Sequence, residues 1–549
     1  MPYRRTRILF LSILIQVFIL GNGLVVSKTV LKVPQYHVHE ISIPGPTFGP
    51  QDNPACEVEF VTQWRHESGS PRYKIHGFWD GDGKGESHGN VFKVRFCPTK
   101  TGLWTLVKTE SNRAELQQQQ EGYQIRCIDS EHPGFWLADS ATAGRWYQRS
   151  DGSHPYIVGD TLYSFLSEQK NDGPTGGNIK DDVRNTCKYF NKIRFSITGD
   201  RYPHPKQKPF LDDNGKPTDD GNFSHRPNPT WFHTRVDLAV QTAFDCDQIA
   251  DLIVNGPDTQ DSRSVLQSRN NNGDATPILK YLAARYGSYP NVWFCLANEF
   301  DIKKPNYSPR QIVQFGTTMR KFLPYPTPMS VHAKPRDWYR ELNAKVWHDH
   351  VIIQKKIKKL PIAADWVARN HAIGGKVPVI DDELAYEGKG DGWSQADVIE
   401  SHLGAFLGGG YGSTGHKPAP KQGHYFWGNF RAQEHRAADN LQWLREAIDE
   451  HIAFWKMTPV EKPKDKKLAI FENVPSDFRA LRWEANEYVL GANQKHNHIR
   501  ARLPGGVWQI TQYDVIAKQK KTLSTNAKGA FTLDSPQSRA VLFHLKKLP

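Results

Sequence analysis

The run Asn291-Val-Trp-Phe-Cys-Leu-Ala-Asn-Glu-Phe300 decides how this chain is read. A short apolar strand ends abruptly in an amide and a carboxylate, Asn298 and Glu299. In a barrel of strands alternating with helices, strand ends of this kind line one face, where polar side chains are held by a rigid frame. A single Asn-Glu pair carries little weight without a partner. A second apolar strand closing in a carboxylate, Val377-Pro-Val-Ile-Asp-Asp-Glu383, lies 84 residues further on.

Working outward from Glu299, strands alternate with helical periodicity. Upstream, Pro155–Val158, Ile193–Ile197 and Asp251–Val254 are the first three strand candidates, with a helix expected over 229–244. Thr276-Pro277 opens a helix that stacks Ile278, Leu282 and Tyr286 on one face and stops at Gly287. Downstream, Ser308-Pro309 opens another, with Ile312, Phe315, Met319 and Phe322 facing inward. Met329–His332, Val351–Ile353, Val377–Ile380 and Gly410–Ser413 follow as strands, with helices over 361–373 and 394–407 between them. A long helix over 433–457 closes the series, with Leu441, Leu444, Ile448, Ile452 and Trp455 as its buried stripe. Eight strand slots predict a closed (β/α)8 TIM barrel, with Glu299 ending the fourth and Glu383 the seventh. The segment 200–228, rich in Pro and containing Asp212-Asp213-Asn214-Gly215, reads as a long irregular loop on the same face.

On either side of the barrel the pattern is β. Asn90–Phe96 alternates, placing Phe92, Val94 and Phe96 on one face between turn signals at Asp80–Gly83 and Thr101-Gly102. The stretch from Asp80 lacks the closing Glu of a calcium loop and reads as a hairpin turn. After the polar linker 462–467, Leu468–Phe471, Glu487–Leu490, Trp508–Tyr513 and Ala540–Leu545 predict a small sandwich. The fold class is therefore multidomain α/β: a TIM barrel over 136–459, flanked by N-terminal and C-terminal β-sandwich domains over 28–135 and 460–549.

Composition sets further bounds. Arg4, Arg5 and Arg7 precede an apolar run over 8–20, and Val25-Val26-Ser27 offers a cleavage site, so residues 1–27 read as an export signal with an uncleaved anchor as the alternative. The mature chain is expected to be secreted or periplasmic, or associated with the cell surface, without stable membrane insertion. Six cysteines are too few to build a disulfide fold; a pairing such as Cys56 with Cys97 is allowed. There is no Cys-x-x-Cys and no His-Glu-x-x-His, and Cys295 reads as a small buried residue. The net charge is +13, and residues 456–549 carry 17 Lys and Arg against 8 Asp and Glu. That excess points to an anionic polysaccharide or surface, or to a solvated basic face, rather than to nucleic acid.

Two carboxylates on two strand ends are the equipment of glycoside hydrolysis. One must be protonated to assist the leaving oxygen and the other ionised to attack the anomeric carbon; repulsion and burial separate their pKa values. The candidate catalytic residues are Glu299 and Glu383, with Glu387 in Ala385-Tyr-Glu-Gly388 as the rival. Strand alternation turns Asp382 away from the mouth if Glu383 points in, which makes it a hydrogen-bond acceptor behind the pair. His332 is a pocket-lining residue or a loop cap. Trp393 and Trp427, in loops after strands seven and eight, are sugar-stacking residues or hydrophobic anchors.

The chain resembles a known group. Gly77-Phe-Trp-Asp-Gly-Asp-Gly83, Phe92-Lys-Val-Arg-Phe-Cys-Pro98 and Gly102-Leu-Trp104 resemble the N-terminal β domain of unknown function numbered 5060 (DUF5060). Arg149–Asp160 resembles the opening strand of the barrel that follows in those proteins. Leu296-Ala-Asn-Glu299 and Ile380-Asp-Asp-Glu383 resemble the acid/base and nucleophile strands of clan A glycoside hydrolases. The last domain resembles the small sandwich often labelled collagen-binding. The resemblance implies a retaining mechanism with Glu299 as acid/base, Glu383 as nucleophile and Asn298 on a sugar hydroxyl. It also implies a supporting arginine on strand two, Arg194 or Arg201, and a strand-six residue among His348, His350 and Gln354. The group's strand-eight Trp is missing; Tyr411 is the aromatic in that slot. No metal or organic cofactor is required. The expected partner is a polysaccharide or oligosaccharide. The competing classes are a non-catalytic carbohydrate- or matrix-binding surface protein, and a polysaccharide lyase in which His or Tyr abstracts a proton beside a uronate.

Overall fold

The computed structural model describes residues 30–49, 51–167, 178–199, 207–218, 226–256, 264–267, 274–302, 304–343, 346–417, 430, 432–493, 498–534 and 538–549. The leader reading over 1–27, Arg201 and Trp427 lie outside them. No helix among the described residues is long and apolar enough to cross a membrane.

Eight parallel strands form the centre: Val158–Thr161, Lys192–Ser196, Ile249–Ile253, Val292–Cys295, Met329–Ser330, Val351–Ile353, Val379–Glu387 and Tyr411–His416. Strand one pairs with strands two and eight, and the sheet runs five-four-three-two-one-eight-seven-six. A single parallel bridge between His332 and Ile352 closes the seam between strands five and six. Apart from Ile179–Thr186, which the sequence reading did not place, the helices between the strands sit where the apolar periodicity and punctuation place them. Ser308 caps Pro309–Arg320 and Ser394 caps Gln395–Leu407, each through a reciprocal capping box.

Several elements differ from the sequence reading. Strand one begins at Val158 rather than ending there, because Pro155 and Tyr156 belong to the approach to the barrel floor. Strand seven does not end at Glu383 but continues to Glu387, with a register shift against strand eight between Asp381 and Ala385. The last helix is shorter, Ala437–His451. Leu468–Phe471 is not one strand: Lys467–Leu468 and Phe471–Glu472 pair antiparallel, with Ala469 between them at a positive φ of 51°. The described part of the long loop after strand two carries three short antiparallel strands, Phe210–Leu211, Pro217–Thr218 and Arg226–Pro227.

The barrel floor is plugged by aromatic side chains. Trp136–Ala138 and Tyr147–Arg149 form a hairpin across it, bringing Tyr147 against Trp293 and hydrogen-bonding its hydroxyl to His350 Nδ1 at 2.9 Å. Above the floor lies a buried charged layer. Lys192 Nζ sits 2.7 Å from both Asp251 and Asp382, and Ser413 Oγ donates to Asp382 at 2.6 Å.

The N-terminal sandwich pairs a five-stranded sheet, ordered Leu31–Pro34, Gln124–Ile128, Gly102–Ser111, Phe60–His66 and Arg72–His76, with a three-stranded one of His39–Pro44, Val91–Phe96 and Phe78–Trp79. Phe92, Val94 and Phe96 face its core, as their alternation predicts, yet Lys93 and Arg95 on the opposite face are also buried. That face carries the charged seam to the barrel. Arg95 pairs with Asp237 at 2.6 Å, Arg285 with Asp237 at 2.7 Å and with Asp80 at 2.6 Å, and Lys93 with Asp80 at 2.8 Å. Asp80 therefore opens the hairpin turn and anchors the seam. Cys56 is exposed and Cys97 buried, and both are free thiols.

Burial alone would raise the pKa of Asp80 and Asp237, but Arg285, joined by Lys93 at Asp80 and Arg95 at Asp237, outweighs it and holds both carboxyls well below the usual range. A carboxylate depressed in the fold contributes stability that is present above its unfolded pKa, near 4, and is lost as pH falls below it. Thermal unfolding followed from pH 7 to pH 3 should therefore show a falling Tm in the wild type. Asp237→Asn should start lower and fall less steeply.

The C-terminal sandwich stacks a six-stranded sheet on a four-stranded one. It docks on the barrel through Arg479, bidentate to Asp365 at 2.8 Å, and Arg539, which reaches Asp397 and Glu400.

Candidate active site

At the C-terminal mouth of the barrel the two glutamates meet. Strand four ends at Cys295, and the chain turns so that Asn298 N–H donates to Asn255 O (2.8 Å) and Phe300 N–H to His332 O (3.1 Å). Glu299 completes this turn at φ 48°, a conformation uncommon for a residue with a β-carbon and held here by the surrounding hydrogen bonds. Gly256, at φ 103°, lets the neighbouring loop approach; a β-carbon there would meet Asn298 at 3.2 Å.

Gln354, just past strand six, joins the pair. Its Nε2 donates at 2.9 Å to Glu299 Oε1 and at 2.9 Å to Glu383 Oε2. Those two oxygens can be no further apart than twice 2.9 Å. Of the three strand-six candidates, Gln354 touches the glutamates. His350 is tied to Tyr147 on the floor, and His348 stacks on Trp338 at 5.0 Å.

Arg194, fully buried on strand two, organises the other side. Its Nη2 donates to Asn298 Oδ1 and its Nη1 to the Tyr163 hydroxyl at 2.9 Å; that hydroxyl donates in turn to Glu383 Oε1. Tyr163 lies two residues beyond strand one, and the Tyr386 hydroxyl is 3.4 Å from it. The sequence reading missed Tyr163. The available signal was an aromatic residue just after a strand end in Asp160-Thr-Leu-Tyr163, obscured by placing that strand three residues early.

His332 is completely buried, with Nε2 3.9 Å from Glu383 Oε1. Burial, aided by Arg194, holds its pKa well below the ordinary value, so the ring is a neutral wall at the seam. Asp382 does not turn away from the barrel interior. The irregularity in strand seven lets consecutive residues both point inward, Asp382 to Lys192 and Glu383 to Tyr163 and Gln354. Glu387, the rival, accepts the Ala437 N–H at 2.8 Å at the start of the last helix and is not joined to Glu299 by any hydrogen bond among those described.

Two of the aromatic candidates, Tyr411 and Trp393, lie elsewhere. Tyr411 starts strand eight rather than ending it; its hydroxyl accepts the Tyr147 N–H at 2.9 Å and its ring packs against Trp146 and Tyr156 in the floor. Trp393 is 7% exposed, held in the core beneath its loop, with Lys358 over its ring at 5.2 Å. No group of three or more His, Cys, Asp or Glu among the described residues is placed to hold a metal ion.

Burial first, and the neighbouring Glu299 second, raise the pKa of Glu383; Arg194 and the Tyr163 hydroxyl oppose the rise. Tyr163→Phe removes a donor to the ionised form, so the Glu383 pKa should climb further. Where turnover depends on an ionised Glu383, the acid limb of the kcat/KM–pH profile is expected to move to higher pH, with kcat lowered roughly 10- to 100-fold. An unmoved limb would deny Tyr163 this part.

The chain's likenesses fall in the same place. The model of a domain of unknown function, DUF5060, matches residues 32–112, and that of the apiosidase-like catalytic domain matches residues 120–418. No curated protein matches the chain. Among solved structures, a candidate glycoside hydrolase from Bacteroides vulgatus ATCC 8482 superposes with a TM-score of 0.72 at 18% identity, over 94% of this chain and 100% of that one. A family 5 glycoside hydrolase from the same organism has a TM-score of 0.57 at 14% identity, over 76% and 93%. A structure named glycoside hydrolase has 0.59 at 14%, over 76% and 97%. At these identities the likeness is one of fold.

Proposed function

Because the chain belongs to the family of apiosidase-like catalytic domains, we propose that it is an exported glycoside hydrolase. It would cleave O-glycosidic bonds of a polysaccharide or oligosaccharide by double displacement with retention. The observation that supports this best is the Gln354 amide shared by Glu299 and Glu383. It bounds their nearest oxygens at twice 2.9 Å, near the roughly 5–5.5 Å of retaining pairs and short of the roughly 6.5–9.5 Å that inversion needs.

In this reading Glu383 is the nucleophile. It accepts from Tyr163 and Gln354, with Arg194 behind, groups that favour the carboxylate. Glu299, half-buried at the mouth, is the acid/base. When Glu299 carries the proton, its charge no longer opposes ionisation of Glu383, so one proton on the pair suits both roles. Glu383 attacks the anomeric carbon as Glu299 protonates the departing oxygen; Glu299 then takes a proton from water, which releases the sugar. Asn298, oriented by Arg194, would meet a sugar hydroxyl.

The family name supplies the first sugar to try, apiose, at the end of a side chain or glycoside. An exported location and an anionic polysaccharide partner are proposed with it, on the leader-like sequence over 1–27 and the basic C-terminal domain. The purified chain should release free apiose from an apiose-bearing glycan, without the near-ultraviolet absorbance of an unsaturated sugar. Products carrying that absorbance would make it a lyase. Binding without turnover across apiosides and a polysaccharide panel would make it a carbohydrate-binding protein.

A further inference from the structure

We propose that Cys187 and Cys246 are a dithiol built to close into a structural disulfide on the outside of the barrel. Cys187 directly follows the helix Ile179–Thr186, and Cys246 directly follows the helix Asp237–Asp245. These helices lead into strands two and three, which pair in parallel from Lys192 and Ile249 onward. The two helix-to-strand turns therefore run side by side. Gln248 Nε2 donates to Phe190 O at 2.8 Å, and Ile249 N–H donates to Asn191 O at 2.8 Å. This register brings the two cysteines onto adjoining turns, both of them partly exposed, with the Cys187 thiol donating to Arg184 O at 3.3 Å. Cys97, Cys127 and Cys295 are buried, and Cys56 lies at the surface in the N-terminal sandwich.

The pair is asymmetric. The neighbouring Cys246 thiol lowers the pKa of Cys187 against the effect of burial, with help from Lys188, Arg184 and Arg445; Cys187 and burial raise that of Cys246. Cys187 is thus the attacking sulfur. As thiolate it attacks one sulfur of a small-molecule or protein disulfide and expels one carrier thiolate. Cys246 then gives up its proton and attacks the Cys187 sulfur, expelling the second. The protein loses two electrons and two protons, and the carrier gains them as two thiols. The new bond closes a ring from 187 to 246 that contains strand two and Arg194, which supports both Asn298 and Tyr163. Such a cross-link stabilises chiefly by restricting the unfolded chain.

The test uses the full chain incubated with excess glutathione disulfide, quenched with iodoacetamide and digested without reductant. Mass spectrometry should find one peptide pair joined through Cys187 and Cys246, two mass units below the reduced pair, with the other cysteines alkylated after denaturation. The oxidised chain should melt roughly 5 °C above both its reduced form and the Cys187→Ser/Cys246→Ser variant. Recovery of both cysteines separately alkylated, or both as glutathione adducts, under excess oxidant would overturn the proposal. It is decided by the wild-type digest alone, whether or not the variant folds.

Discussion

Replacing Glu383 by Gln should lower kcat/KM by about 10,000-fold or more while leaving the melting temperature within a few degrees of wild type. In the proposed mechanism the change removes the attacking oxygen's charge and keeps the side chain's shape, and loss of a nucleophile is among the largest single effects an active site shows. Four decades correspond to about 5.4 kcal/mol of transition-state stabilisation. Glu299→Gln should behave differently. On a glycoside whose leaving group is an ordinary alcohol it should lose about 100- to 10,000-fold, the range of general acid catalysis. On a nitrophenyl glycoside, whose phenolate leaves without help, bond cleavage should lose far less. The comparison assigns the two roles, because an exchange of nucleophile and acid would reverse this leaving-group dependence. Rates near wild type for Glu383→Gln would remove it from the chemistry.

Lys192→Met should be the most damaging single change to the barrel itself. Lys192 Nζ lies 2.7 Å from Asp251 and 2.7 Å from Asp382, with all three side chains wholly shielded from water. Burial opposes the charge on each. Lys192 and Arg194 nevertheless hold Asp382 well below the usual carboxylate range, whereas burial raises Asp251 despite Lys192. Without the ammonium, the charged Asp382 stays buried with less compensation, and a broken buried pair costs about 3–5 kcal/mol. Because Asp382 is bonded to Glu383, the loss should reach catalysis as well. A drop in Tm of roughly 5–15 °C is expected, measured by calorimetry. Asp251→Asn in the same chain should restore part of it, since a neutral neighbour relieves the repulsion on Asp382. A melting temperature unchanged by Lys192→Met would show that the layer adds nothing to stability.

What the sequence discloses, and what it conceals, follows from the range of the interactions involved. The eight strands were readable because each is a local run of apolar residues between Pro, Gly and cap signals. The resulting count set Glu299 at the end of strand four and Glu383 at the end of strand seven; strand seven runs on to Glu387, and both glutamates stand at the mouth. Arg194 was likewise reachable from its strand, and its contact with Asn298 follows from pairing of strands two, three and four. Gln354 and Tyr163 were harder. Each meets the glutamates only because the sheet curls shut, so the relation joins residues 220 positions apart in the case of Tyr163 and Glu383. Asp382 is the acceptor behind the pair that the sequence suggested, taking bonds from Lys192 and Ser413, but it reaches them from inside the barrel because strand seven abandons regular pleating between Asp381 and Ala385. Tyr411 was misread for a simpler reason. The glycine-rich strand eight runs on to His416, so its aromatic residue marks the floor end rather than the mouth. The alternation that sets Phe92, Val94 and Phe96 on one face says nothing of what covers Lys93 and Arg95 on the other; there Glu40 and Asp80 of the same sandwich meet Asp237 of the barrel.

The most direct test of the paired-glutamate mechanism is the configuration of the sugar at the moment of release. Proton NMR of the first product formed from a substrate of known anomeric configuration, recorded faster than mutarotation, should show the same anomer as the substrate. The opposite anomer would mean that a single water displaces the leaving group, and would contradict Glu383 as nucleophile.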